Sequence, residues 1–159
     1  MEFFCDNCSN SLTEQDEFCT NCGSLLILDV KCINHETVEA DGVCIICSEP
    51  LCDKCIARKD DIILCIEHNN YEIVQRMVRV FGTNDELQIQ YAFDCLEKEG
   101  LHPFIYSRKA SPLHLGGVDY SLFRASGEYN GHIVNELKLM VPPQEVIESE
   151  KILKEVEIL

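Results

Sequence analysis

The chain contains no tryptophan, few basic residues and no long apolar run, and the last two shortages each remove a class of function. The longest aliphatic run, "LLIL" at 25–28, falls far short of the roughly 20 residues that span a bilayer. The opening "MEFFCDNC" has no basic n-region, apolar h-region or small-residue cleavage site, so no secretory signal is expected. These two features predict a soluble, cytoplasmic protein with no membrane partner. Lys and Arg number 13 against 28 Asp and Glu, for a net charge of -15. Phosphate backbones are bound through Lys and Arg, so nucleic acid is a poor partner. The imbalance is uneven: residues 1–70 carry fourteen acidic and four basic side chains, and residues 71–159 fourteen and nine. Such a surface suits a basic protein partner, or serves solubility alone. Low-complexity segments and long Gly/Ser/Pro linkers are also missing, so the modules should follow one another closely.

What the chain has in excess is cysteine. Its eleven cysteines are about five times the average usage for this length. In a reducing compartment, clustered cysteines are metal ligands rather than disulfides. Ten of them lie between Cys5 and Cys65, every one in a C-x2-C or C-x2-H pair. After His68 the composition becomes that of ordinary globular material, with "NNYE" at 69–72 as the seam, and the cysteine-rich half divides near "LLILDV" at 25–30. Three modules are therefore expected, at 1–28, 30–70 and 72–159.

The first module reads "FCDNCSNSLTEQDEFCTNCGSLL". Two C-x2-C turns, ten residues apart, offer Cys5, Cys8, Cys19 and Cys22 to one ion. Four thiolates make the closed tetrahedral shell of a structural zinc site. A thioredoxin-type redox pair needs a strand before it and a helix after it, which this segment does not provide. Gly23 fits a knuckle that needs positive φ, and Asn7 and Asn21 tolerate left-handed backbone. The stretch 4–26 resembles the short zinc ribbons found at the ends of many prokaryotic proteins. It departs from them at Ser9, where that family usually has glycine. The resemblance implies a small β-hairpin fold around one zinc, and no single function.

The second module contributes four pairs: Cys32-x2-His35, Cys44-x2-Cys47, Cys52-x2-Cys55 and Cys65-x2-His68. Eight ligands suffice for two zinc ions, paired either sequentially or in interleaved fashion. The four-residue "SEPL" between Cys47 and Cys52 reverses the chain once, stiffened by Pro50, and so favours consecutive pairs serving different ions. Both pairings stay open on this ground alone. The order and spacing, with "CIICSEPLCDKC" and the closing "CIEH", resemble the B-box zinc fingers. That resemblance implies a cross-brace: Cys32, His35, Cys52 and Cys55 on one zinc, and Cys44, Cys47, Cys65 and His68 on another. Many B-boxes close on H-x2-H, whereas this chain closes on Cys65 and His68. A RING finger, with ubiquitin-ligase-type activity, is the nearest alternative, but it carries its lone histidine in the middle of the ligand list.

Three zinc ions are thus expected. A dication with four thiolates leaves the ribbon site at about −2, and three thiolates with one neutral histidine leave each of the others at about −1. Full shells have no open position for a catalytic water, so these zincs should be structural and the protein no enzyme. A nucleic-acid-associated zinc ribbon is a further alternative, opposed by the sign of the charge.

Residues 72–159 read as an α+β sandwich of the ferredoxin-like, split β-α-β type. A strand at 77–81 precedes a helix capped by Asn84, with Leu87, Tyr91, Ala92, Cys95 and Leu96 on its buried side. Gly100 ends that helix. Strands follow at 102–107, 120–125 and 137–141, with a loop at 109–119. Pro142 and Pro143 then open a last helix running to about Val156, with Val146, Ile147, Leu153 and Val156 buried. The glycine pair of "LGGVD" at 115–119 is read as a turn, Cys95 as a core residue, and His102, His114 and His132 as ordinary residues. "LEKEGL" and "VPPQE" resemble a small family of prokaryotic signal-transducing proteins whose activity is not established. The expected function is that of a zinc-binding, non-catalytic interaction or regulatory protein. Its partners would be other proteins, with a small ligand at the last domain as a further expectation.

Overall fold

The computed structural model describes residues 3–107, 128–129, 132–133 and 136–159. The chain divides into two compact units, Met1–Glu72 and Ile73–Leu159.

The first unit is built from short hairpins. Strand β1 (Phe3–Phe4) pairs with β2 (Ser11–Leu12), and a bridge joins Phe18 to Leu25. Next come β3 (Lys31–Cys32) with β4 (His35–Glu39), β5 (Gly42–Val43) with β6 (Pro50–Leu51), and β7 (Ile56–Lys59) with β8 (Ile62–Cys65). Asp60 and Asp61 are both left-handed, which gives the two-residue β7–β8 turn the twist that its strands require. Apolar burial is concentrated in this hairpin stack: Val43, Ile45, Ile46, Leu51, Ile62, Ile63 and Leu64 are all buried. All four residues of β8 are buried, although strand alternation would leave every second one on the outside. The cover comes from residues 22–23. Ile63 N–H donates to the Cys22 carbonyl at 2.9 Å, and Val43 N–H to the Gly23 carbonyl at 2.8 Å.

The second unit is an antiparallel sheet with two helices. Strands β9 (Ile73–Val74), β10 (Met77–Thr83), β11 (Phe104–Ser107) and β14 (Leu137–Val141) lie in the order β11-β14-β10-β9. Helix α1 (Glu86–Lys98) joins β10 to β11, and β14 lies between them, antiparallel to both. A separate hairpin pairs β12 (Glu128–Tyr129) with β13 (His132–Ile133). After β14 a 3-10 turn at Pro143–Glu145 leads into α2 (Val146–Glu155). Buried residues of the sheet include Val78, Val80, Leu137, Leu139 and Val141, and the helices contribute Ile89, Ala92, Leu96, Val146 and Leu153 to the core. Among the described residues no helix is long and apolar enough to cross a membrane.

Several local expectations are corrected here. The cap of α1 is Asp85, not Asn84: its carboxylate accepts from Leu87 N–H at 2.8 Å and Gln88 N–H at 3.2 Å. The buried stripe of α1 is Ile89, Ala92 and Leu96, while Leu87 and Tyr91 are exposed and Cys95 is half-buried. Ile89, Ala92 and Leu96 recur at spacings of three and four and so share one face, while Leu87 and Tyr91, each two positions from Ile89, lie on the far side. In α2 the buried positions are Val146, Ser149 and Leu153, with Ile147 exposed. Val146 and Leu153 are buried as expected, Ser149 joins them on the same face, and Val156 lies just past the helix end and is half-buried. Gly100, at φ 83, closes α1 with Leu101 N–H on the Leu96 carbonyl at 3.1 Å. The strand expected at 120–125, the loop with "LGGVD" and His114 all lie outside the described residues.

Candidate metal centres

Three of the cysteine pairs fold into the same turn. Ser9 N–H reaches the Cys5 carbonyl at 2.7 Å, Gly23 N–H the Cys19 carbonyl at 2.7 Å, and Ser48 N–H the Cys44 carbonyl at 2.8 Å. Each turn closes with the first cysteine's N–H on the carbonyl five residues on: Asn10, Ser24 and Glu49. The left-handed residue is the one after the pair, Ser9 (φ 57), Gly23 (φ 87) or Ser48 (φ 59). Asn7 and Asn21 are not left-handed, contrary to expectation. At Cys52–Cys55 the chain instead runs on into β7, with Ile56 N–H on the Cys52 carbonyl at 3.1 Å.

These turns gather twelve side chains into three sets of four. The sets are Cys5, Cys8, Cys19 and Cys22; Cys32, His35, Cys52 and Cys55; and Cys44, Cys47, Cys65 and His68. Within each set the ligand atoms all lie within 4.8 Å of one another. The four pairs of residues 32–68 are thus interleaved. Strand β6 explains why: it follows the turn that holds Cys47 and, through its two residues Pro50–Leu51, delivers the chain to Cys52. One knuckle is the tip of the β5–β6 hairpin and the next begins at its far end. Pro50 lies on that strand opposite Val43, and its carbonyl accepts from Ile33 N–H at 2.9 Å.

The geometry suits a tetrahedral ion. Metal–sulfur bonds of about 2.3 Å place sulfurs about 3.8 Å apart at the corners of a tetrahedron, with sulfur–nitrogen edges somewhat shorter. The Cys5–Cys22 and Cys8–Cys19 sulfurs are 3.7 and 3.5 Å apart. In the second set, Cys55 is 3.8 Å from both Cys32 and Cys52, and His35 Nδ1 lies 3.4 Å from Cys52 and Cys55. In the third, His68 Nδ1 lies 3.5 Å from Cys44 and 3.1 Å from Cys65. These spacings are far beyond the S–S bond of about 2.05 Å, and the cysteines are free thiols. Each set can hold one metal ion, and the donor chemistry is consistent with zinc.

Electrostatics inside the sets call for a cation. Burial, with the Cys8 and Cys22 sulfurs alongside, pushes the Cys19 thiol up to about 12 against the backbone N–H groups of Asn21 and Cys22. Burial also opposes ionisation of Cys22, but the Ser24 hydroxyl and N–H, with Asn7, outweigh it and bring this thiol down to about 6. Cys32 is likewise brought down to about 6, burial being overcome by Cys52 N–H, His35 and Asn34 N–H. Burial raises Cys47, Cys55 and Cys65, with neighbouring cysteines adding to the rise. Cys22 and Cys32 thus form thiolates easily, whereas Cys19, Cys47, Cys55 and Cys65 resist unless a dication lies among them.

The sequence reading missed the polar groups around the sulfurs. Asn21 Nδ2 donates to Cys8 at 3.3 Å, and Asn7 to Cys22, so each ribbon knuckle supports a sulfur of the other. Asn34 Nδ2 donates to Cys55 at 3.6 Å. Their common place, one residue before the second ligand of a pair, was the signal available in the sequence. Outside the sets, His102 is tied to Glu145 through Nδ1 and its N–H, both at 2.7 Å. Arg79 pairs with Glu136, which also approaches Lys138 Nζ at 3.7 Å.

No family model, curated protein or solved structure matches the chain. The likeness to zinc ribbons, B-boxes and signal-transducing proteins therefore rests on the quoted motifs alone.

Proposed function

We propose that the chain is a zinc-binding, non-catalytic interaction protein of regulatory or signalling type, held in shape by three structural zinc ions. The observation that carries this reading is the near-tetrahedral spacing of all three ligand sets. Zinc suits thiolate and imidazole donors in this geometry better than the hard cations, which seek oxygen. Each set supplies four protein ligands, so a bound zinc is left no position for water or substrate, which supports a structural role. We read residues 1–28 as a zinc ribbon and 30–70 as a B-box-like cross-brace, in keeping with the interleaved pairs. The second unit we read as ferredoxin-like, because β14 separates the two strands that α1 joins. Its fourth strand, β9, comes from before that core instead of after it. With fourteen acidic and four basic residues in 1–70, the partners we propose are basic proteins met in the cytoplasm.

Elemental analysis of protein purified without chelators should find three zincs per chain. Fewer would overturn the ligand assignment. Zinc-loaded protein should also retain a reproducible basic partner that the chelated protein loses. Finding neither a partner nor a ligand-induced thermal shift would remove the interaction role. Stimulated ubiquitin discharge from a charged conjugating enzyme would remove its non-catalytic character.

A further inference from the structure

The three ligand sets differ in what surrounds their sulfurs. Around the ribbon set, Asn21 donates to Cys8 at 3.3 Å, Asn7 donates to Cys22, and Ser24 Oγ lies 3.2 Å from Cys22. Around the second set, Asn34 donates to Cys55 at 3.6 Å. In the third set the backbone N–H groups of Glu49, Glu67 and His68 serve Cys47 and Cys65, but the side chain from outside the set that approaches Cys47 is a carboxylate, with Glu49 Oε2 3.6 Å from its sulfur. The sequence repeats the contrast. The residue before the second ligand is Asn7 and Asn21 in the ribbon, and Asn34 and Lys54 in the second set. In the third it is Ile46, which is apolar, and Glu67, which is acidic.

A metal centre of three thiolates and one imidazole carries net negative charge. Amide N–H donors spread that charge and hold the sulfurs in place, whereas a carboxylate adds to it and repels them. We propose that the Cys44–Cys47–Cys65–His68 centre is the exchangeable one of the three, giving up its metal to a competing ligand before the other two. This inference rests on the zinc reading above and adds an order of release to it. Exposure alone gives the two finger centres no clear order, since His35 is exposed in one while Cys47 and His68 are both half-buried in the other.

The test uses the full chain loaded with three zincs. EDTA is added in steps, each followed by a pulse of N-ethylmaleimide and mapping of labelled cysteines by mass spectrometry. Cys44, Cys47 and Cys65 should be labelled as the first equivalent of zinc leaves, with Cys5, Cys8, Cys19 and Cys22 still protected. Glu49→Gln should slow that first release about tenfold, the lower end of what outer-shell partners contribute. Labelling that begins in the ribbon or at Cys32, Cys52 and Cys55, or that strikes all sets together, would overturn the order, as would a Glu49→Gln rate equal to that of the parent. A chain that binds no zinc at all would instead remove the zinc reading and this inference with it.

Discussion

The carbonyl of Gly23 accepts a hydrogen bond from the amide of Val43 at 2.8 Å, which joins the first knuckle module to the second. The approach is so close that a Cβ at position 23 would stand 2.2 Å from the Val43 carbonyl oxygen and 2.8 Å from Ile63 Cβ. Glycine is needed there twice over, for this contact and for its φ of 87. Gly42 repeats the theme, since a Cβ on it would meet Ile63 Cδ1 at 2.3 Å. The ribbon thus covers the outer face of β8, and Ile63 is buried on account of it.

Gly23→Ala should therefore uncouple the ribbon from the finger. Left-handed backbone costs a non-glycine residue about 1–2 kcal/mol, and the clash with the Val43 carbonyl adds to that. We expect a loss of more than about 2 kcal/mol from the first unit, with faster amide exchange at Val43 and Ile63. Unchanged exchange at those two amides would show that the contact does not hold the modules together.

Chelation should unfold residues 5–68 and leave 77–156 folded. Structural zinc in small fingers contributes about 10–16 kcal/mol of binding free energy that is also folding free energy. The second unit has its own core of Val78, Leu96, Leu139 and Leu153 and no ligand set among its described residues. Amide NMR spectra before and after EDTA would read both halves at once. Loss of the second unit's dispersed signals would contradict the prediction.

Acid should release the metals, and the sign follows from the thiols. Cys22 and Cys32 lie at about 6 against an ordinary value of 9.0. Their folded values are depressed, so their contribution to stability is full above about 9 and is lost as pH falls through about 6. Metal binding, which needs thiolates, runs in the same direction. The melting temperature of the first unit should rise between pH 6 and pH 9, and zinc reaching a colorimetric indicator should climb steeply below about pH 6. A melting temperature flat across that range would count against these thiols as ligands.

The ligand pairs were legible in the sequence because each is a local turn, complete within four residues. Which pairs meet is a matter of three dimensions, and depends on β6 carrying the chain from Cys47 to Cys52. The sheet of the second unit was legible where a strand is long and apolar, as at Leu137–Val141. Strand β9 was not, since Ile73–Val74 is too short to show a period. The helix faces failed for another reason. Leu87, Tyr91 and Ile147 have the right character for a core but stand on the outer side, because the faces that pack on the sheet are those of Ile89 in α1 and Ser149 in α2. The asparagines beside the sulfurs were read for backbone conformation, and their donor role appears only once the two knuckles face each other.

Ser149 provides a test within the second unit. Its hydroxyl is completely buried in α2 and, alone among the buried side-chain nitrogen and oxygen atoms of the described residues, has no hydrogen-bond partner. A buried hydroxyl without a partner costs its desolvation, about 1–3 kcal/mol. Serine is also a weaker helix former than alanine, by up to about 0.5 kcal/mol. Removing one oxygen leaves little space behind, so the gain should outweigh the lost packing. Ser149→Ala should stabilise the second unit by about 1 kcal/mol, read as a higher urea midpoint at an unchanged m-value in the zinc-loaded chain. A midpoint that falls would mean that the hydroxyl has a partner in solution, and that the small side chain was kept at this helix position for that bond and not for close packing.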